Sequence, residues 1–137
     1  MHKGTYLLFL EFRAQRTVDI GKLGTITVEE GEYCYVGSAM NGLGSRIRRH
    51  LSDKKKIHWH IDHLTTIADA MEAYVSLPPT DECELSRMAK ESGGLEVFKG
   101  FGCSDCRCHT HLFLMNGASK PKLLNMSDTV PFLQGYE

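Results

Sequence analysis

Residues 31–50, "GEYCYVGSAMNGLGSRIRRH", hold the transition on which the fold turns. The aromatic and β-branched run from Glu32 to Val36 reads as a strand, which Gly37 interrupts, and "NGLG" at 41–44 reads as a flexible link. Ser45 or a neighbour then caps a helix reaching about Leu51. That helix carries Arg46, Arg48, Arg49 and His50, with Arg46 and His50 four residues apart on one face. Tyrosines on a strand beside guanidiniums on a helix suit a phosphate, because a guanidinium matches phosphate oxygens in a bidentate way.

On either side of this stretch the pattern continues. "GTYLLFLEF" at 4–12 suits a buried strand, and "RAQR" at 13–16 a solvated turn. "TVDIGKLGTITVEEGEYCYVGSA" at 17–39 alternates β-branched and polar residues and predicts two more short strands, broken by glycines. Three successive strands with short links favour antiparallel pairing. Ile57, Ile61, Leu64 and Ile67 recur at helical spacing, so 57–70 reads as a helix. "MEAYVSLPP" at 71–79 reads as a strand ended by prolines. Thr80 or Asp81 caps a helix over "ECELSRMAKES", closed by Gly93 and Gly94. Residues 95–116 mix short strand pieces with a cysteine-rich link at 101–111. The last twenty residues read as a weakly structured finish or an edge element. Neither an internal repeat nor a linker divides the chain, so 1–137 is expected to be one α+β domain. Its sheet should be small and mostly antiparallel, with a three-stranded core plus further strands, flanked by helices.

Composition narrows the class. With 42% hydrophobic and 24% charged residues, the chain is not disordered throughout. No apolar stretch approaches the ~20 residues that span a bilayer, and the short Tyr6–Phe12 run contains Glu11 and is no signal peptide. A cytoplasmic protein with no membrane partner is expected. The net charge of −1 gives no global pull on a polyanion, but six of the 16 Lys and Arg residues lie between Arg46 and Lys56. They are Arg46, Arg48, Arg49, Lys54, Lys55 and Lys56, a cluster that favours phosphate binding over a merely solvated face.

"GTY" at Gly4–Tyr6 and "YVG" at Tyr35–Gly37, followed by "RIRRH" and by "ECELS" at 82–86, resemble the ordered signature of the GIY-YIG nucleases. The wider text, including "KKKIHWHIDHL" and "GFGCSDCRCHTHL", is similar to the single-domain Uri-type branch over most of residues 4–114. The resemblance implies a metal-dependent endonuclease acting on DNA, single-stranded or structured, in repair or processing, alone or with a repair-protein partner. It implies Tyr6 as proton acceptor for water, and Tyr35 sharing the proton network or orienting the phosphate. Arg46 would stabilise the pentacovalent phosphorus, assisted by His50. Glu82 would hold Mg²⁺ or Mn²⁺, with Glu84 as the alternative. The asparagine that many relatives carry about a dozen residues past the glutamate has no counterpart in "GGLEVF". Either a residue of "SDCRCHTH" replaces it or catalysis is weakened.

The chemistry agrees with these roles. A carboxylate holds one hard cation that keeps its waters and grips phosphate oxygens. A phenol, with a pKa near 10, becomes a useful base only where positive charge favours its phenolate, and the basic helix and a metal would supply that charge. Arg48, Arg49, Lys54, Lys55, Lys56 and Trp59 are the candidate nucleic-acid contacts, cations and one aromatic suited to single strands. DNA and RNA are not distinguished. In "HWHID", a Trp59 anchored in the core with a His58–Asp62 hydrogen bond is the competing reading.

Cys103, Cys106, Cys108 and His111, with His109 as an alternative, place three thiols and an imidazole within nine residues, a candidate zinc shell. Reduced structural thiols, or redox or disulfide chemistry, are the other readings. Cys34 and Cys83 read as small buried apolar residues, and five cysteines, an odd number, argue against a disulfide framework. A nucleic-acid-binding module that does not cut, or a zinc- or thiol-containing interaction domain with a vestigial nuclease motif, are the alternatives to the endonuclease.

Overall fold

β1, Gly4–Phe12, is apolar at almost every position, and its alternate side chains enter two different cores. Tyr6, Leu8, Leu10 and Phe12 point to one face, while Leu7 and Phe9 point to the other. A strand covered on both faces belongs at the centre of a sheet. The computed structural model describes residues 4–39, 42–52, 55–76, 81–103 and 108–132.

The elements follow the chain as β2 (Arg16–Asp19), β3 (Thr25–Val28), β4 (Gly31–Ala39), α1 (Leu43–Leu51), α2 (Asp62–Thr65) and β5 (Ala70–Ser76). Then come α3 (Glu82–Glu91), β6 (Leu95–Glu96), β7 (Leu112–Met115), α4 (Ser119–Ser127) and β8 (Val130–Pro131). Six strands form one sheet in the order β6-β7-β4-β1-β5-β8, every pair antiparallel, and β2 and β3 pair separately. The α+β expectation with an antiparallel sheet is met. Leu43 and Ile47 of α1 join the core on the Tyr6 face, and Leu85 and Ala89 of α3 with Leu123 of α4 fill the opposite one. Each of the buried leucines and the isoleucine contributes about 1.5–3 kcal/mol.

Four local expectations change. Where two strands are expected over 17–39, there are three, β2 starting at Arg16 within the expected turn and β4 continuing through Gly37 to Ala39. The helix predicted over 57–70 shrinks to the single turn of α2. The Asp62 carboxylate accepts the backbone N–H groups of His58 and Trp59, both at 2.8 Å, and so holds a turn where the helix would have begun. Gly42 rather than Ser45 precedes α1, in the left-handed conformation (φ 61°) that glycine adopts freely. The C-terminal segment holds a full helix, α4, not only an edge strand. Asn116 Oδ1 accepts the N–H groups of Ala118 and Ser119 to start it, and Pro121 sits in the first turn, where it disrupts nothing. By contrast, the α3 cap is Asp81 as expected, its carboxylate accepting from the N–H groups of Cys83 and Glu84. No helix of the described residues is long and apolar enough to cross a membrane.

Candidate functional site

Tyr6 lies opposite Gly37 in the β1–β4 register, which makes Tyr35 its diagonal neighbour on the same face. Gly37 is what lets the rings meet. A Cβ there would fall 2.4 Å from Tyr6 Cζ and Oη and 2.9 Å from Tyr35 Cε2, so only glycine fits. The two ring centroids are 6.4 Å apart. α1 lies over this pair and lowers His50 onto it.

The Tyr6 hydroxyl is 2.7 Å from His50 Nε2, and both side chains are buried. Burial pushes the Tyr6 phenol well above its usual 10.0; the Tyr35 phenol adds to the rise and Arg46 opposes it. Burial likewise raises Tyr35, with Glu82 adding and Arg46 opposing. His50 moves the other way, down to about 3, because burial and then the nearby Lys55 ammonium disfavour imidazolium. The pair is therefore a neutral phenol donating to a neutral imidazole. His50 Nδ1 is buried with no partner among the described residues.

Arg46 is half-buried, donates to the Ser38 carbonyl at 2.9 Å and stacks on Trp59 at 4.4 Å. Glu82 enters from the first turn of α3, where the helix dipole favours its charge. Tyr6, Tyr35, Arg46, His50 and Glu82 all line one open cleft of about 330 Å³, with Ser38, Trp59, His60 and Gly102 among its other walls. Glu84, the alternative carboxylate, does not line it and pairs with Arg87 on the surface of α3. One further residue reaches Glu82: fully buried His111, whose Nε2 is 3.1 Å from Glu82 Oε1 while its Nδ1 is 2.5 Å from Ser86 Oγ. Burial lowers the His111 pKa while Glu82 and Asp81 raise it, with burial prevailing. The neutral ring thus donates Nε2–H to the carboxylate and accepts from the serine.

The other basic residues divide. Arg49 clamps the buried Asp62 carboxylate in two-pronged fashion, at 2.8 and 2.9 Å, and lies 4.5 Å from the Trp59 ring centroid. Lys55 donates to the His50 carbonyl and to Thr65 Oγ1, both at 2.7 Å. These two cations brace the wall of the cleft. Arg48 is half-buried, Lys56 is exposed, and Lys54 lies outside the described residues. Trp59 lines the cleft under both guanidiniums, and the expected His58–Asp62 bond runs from the His58 backbone. His60, one of the histidines beside Trp59 that could contact a nucleotide, lines the cleft; sequence reading missed the Arg49–Asp62 clamp and the His111–Glu82 contact, since each joins segments remote in the chain.

Of the expected zinc ligands Cys103, Cys106, Cys108 and His111, two come together with a residue from α3. Among the described residues the ligand atoms that converge, all within 4.8 Å of one another, are those of Cys83, Cys108 and His111, a group that could bind a metal. Cys103 stands outside that group, its thiol 3.4 Å from the Phe101 carbonyl, and Cys106 lies outside the described residues. Cys83, read from sequence as a small buried apolar residue, is instead half-buried and faces Cys108; Cys34 is fully buried as expected.

A six-stranded antiparallel sheet with a phenol, guanidinium and carboxylate cleft at one face defines an α+β domain with a polar, open site. The chain belongs to the family described as domain of unknown function DUF123, whose family model matches residues 5–130. Neither a curated protein nor a solved structure matches it.

Proposed function

We propose that the chain is a metal-dependent endonuclease of the GIY-YIG type that hydrolyses phosphodiester bonds in DNA. The observation that carries this reading is the convergence of Tyr6, Tyr35, Arg46, His50 and Glu82 on one solvent-open cleft. Mere binding of a polyanion does not call for a carboxylate among these groups, because it would repel phosphate unless a cation intervened. Glu82 is the residue suited to hold Mg²⁺ or Mn²⁺, and such an ion supplies charge neutralisation at the phosphoryl and leaving oxygens.

The protein's own residues account for the proton movement. A free Tyr6 phenolate is disfavoured by burial, so the phenol acts as a relay. It passes its proton to His50 Nε2, 2.7 Å away, as it takes one from the attacking water. The incoming phosphodiester brings the negative charge that an imidazolium at His50 needs. Arg46, held by the Ser38 carbonyl and the Trp59 face, offers its remaining donors to the phosphoryl oxygens as charge builds there.

A second reading, a nucleic-acid-binding module that does not cut, is favoured by one observation: burial holds both phenols protonated. Incubation with single-stranded, duplex and flapped DNA, with Mg²⁺, Mn²⁺ or chelator, separates the two. The wild type should cut only with metal, and Glu82→Ala should bind without cutting. Binding without cleavage in every metal selects the second reading.

A further inference from the structure

We propose that Cys83, Cys108 and His111 form a binding centre for a thiophilic divalent ion, zinc by its donor chemistry, that fastens the segment before β7 to the first turn of α3. Two thiols and one imidazole are soft and borderline donors, a set that selects zinc and discriminates against Mg²⁺ and Ca²⁺. Cys83 stands 25 residues before Cys108 and 28 before His111, so local turn geometry does not explain its meeting with them. His111 is fully buried and directly precedes β7, which fixes its place. Its two ring nitrogens face Ser86 and Glu82 at 2.5 and 3.1 Å, so an ion takes one nitrogen in place of that partner, and the other contact stays on the second nitrogen, as metal-bound imidazoles require.

The sulfur spacing bears on what the thiols do. Cys83 and Cys108 Sγ are 2.9 Å apart. A disulfide requires about 2.05 Å, and two sulfurs on a tetrahedral zinc with bonds of about 2.3 Å stand roughly 3.8 Å apart. The pair lies between these limits, but a disulfide would give the buried imidazole no part, whereas an ion uses all three donors. Both thiols are half-buried, so an ion has a side from which to enter. The fourth corner of the tetrahedron goes to a ligand outside these three residues. The site is distinct from the Glu82 cation site in donor type, although Glu82 touches His111 and precedes Cys83. It does not depend on the hydrolytic reading.

The test uses the full chain, purified under reducing conditions, stripped with a chelator and titrated with Co²⁺ and then Zn²⁺. About one Co²⁺ per chain should bind, with thiolate-to-metal charge-transfer absorption and the intense visible bands of a tetrahedral ion, and Zn²⁺ should erase both. Zn²⁺ should raise the thermal midpoint of the stripped chain. Cys83→Ser and Cys108→Ser should each weaken uptake by about tenfold or more, while Cys34→Ala should leave it intact. Absence of uptake, Co²⁺ bound without the charge-transfer band, or Cys83→Ser binding like wild type overturns the proposal. A Cys83–Cys108 disulfide in place of uptake does the same. If the serine variants do not fold, the wild-type Co²⁺ spectrum decides by itself, and the result stands whether or not DNA is cleaved.

Discussion

The Tyr6 hydroxyl lies 2.7 Å from His50 Nε2, a contact between residues 44 positions apart that joins the central strand to the arginine-bearing helix. Both side chains are buried and both line the cleft. The contact's consequences can be measured separately from those of the cation and of the thiol site.

Replacing Tyr6 with Phe removes the relay and keeps the ring. General acid–base groups supply about 10²–10⁴-fold in rate, so cleavage should fall by that order while DNA affinity stays near wild type. The substitution leaves His50 Nε2 unpaired, at a cost of about 1–3 kcal/mol. Single-turnover cleavage and a binding titration on the same protein check both. An unchanged rate would remove Tyr6 from the chemistry.

Acid should destabilise the fold through His50. Its pKa falls from 6.5 in the unfolded chain to about 3 in the folded one, so the folded state binds fewer protons between those values. The stabilising contribution is complete above pH 6.5 and is lost as pH drops toward 3, at up to about 1.4 kcal/mol per pH unit. His60 and His111 shift in the same direction and steepen the same limb. Urea midpoints measured from pH 7 to pH 4 should therefore decline, and less steeply in His50→Gln than in wild type. Equal slopes would contradict the assignment.

Gly37→Ala should disable the site more than it harms the fold. The added methyl meets the Tyr6 and Tyr35 rings, and overpacking of this kind costs about 1–3 kcal/mol. Gly117→Ala, where no atom lies within 4 Å of the new methyl, is the matched control. A cleavage assay beside a thermal melt should show lost activity for the first and a near-native protein for the second.

Asp62→Ala should be among the most damaging single changes. It removes the two-pronged carboxylate partner of the Arg49 guanidinium, which keeps the Lys56 carbonyl and the Trp59 face, and strands two backbone N–H groups that the carboxylate now accepts. Breaking a buried ion pair from one side costs about 3–5 kcal/mol, and circular dichroism melts would register it. Burial acts to raise the Asp62 pKa, but the hydrogen bonds from Arg49, Trp59 and His58 prevail and lower it below 3.8. Its contribution is thus present above that value and is lost only as pH falls beneath it.

The sheet was legible because its signals are local. β1 is a continuous apolar run, β4 begins at Gly31, and Asp81 caps α3 four residues before its first buried leucine, Leu85. The phenols, Arg46 and His50 could be named from order along the chain, and the choice of Glu82 over Glu84 needed the direction in which α3 points them. What escaped notice depends on long-range pairing. Asp62 looked like a helix residue because its neighbours repeat at helical spacing, yet its charge is spent on Arg49 and a turn. Cys83 looked like core filler because its partner thiol is 25 residues away. α4 escaped because few of its residues are buried, so its pattern carries little periodicity.

β1 feeds alternate side chains to opposite faces, so the assembly of the cleft hangs on pairing fidelity during folding. A slip of a single residue against β4 would present Thr5 or Leu7 where a phenol belongs and would turn Tyr6 into the interior on the far side. Such a misaligned species would keep most of its ladder hydrogen bonds yet lack the paired phenols of the cleft, and the seat of Tyr6 against Gly37 is the lock that makes it lose to the native pairing.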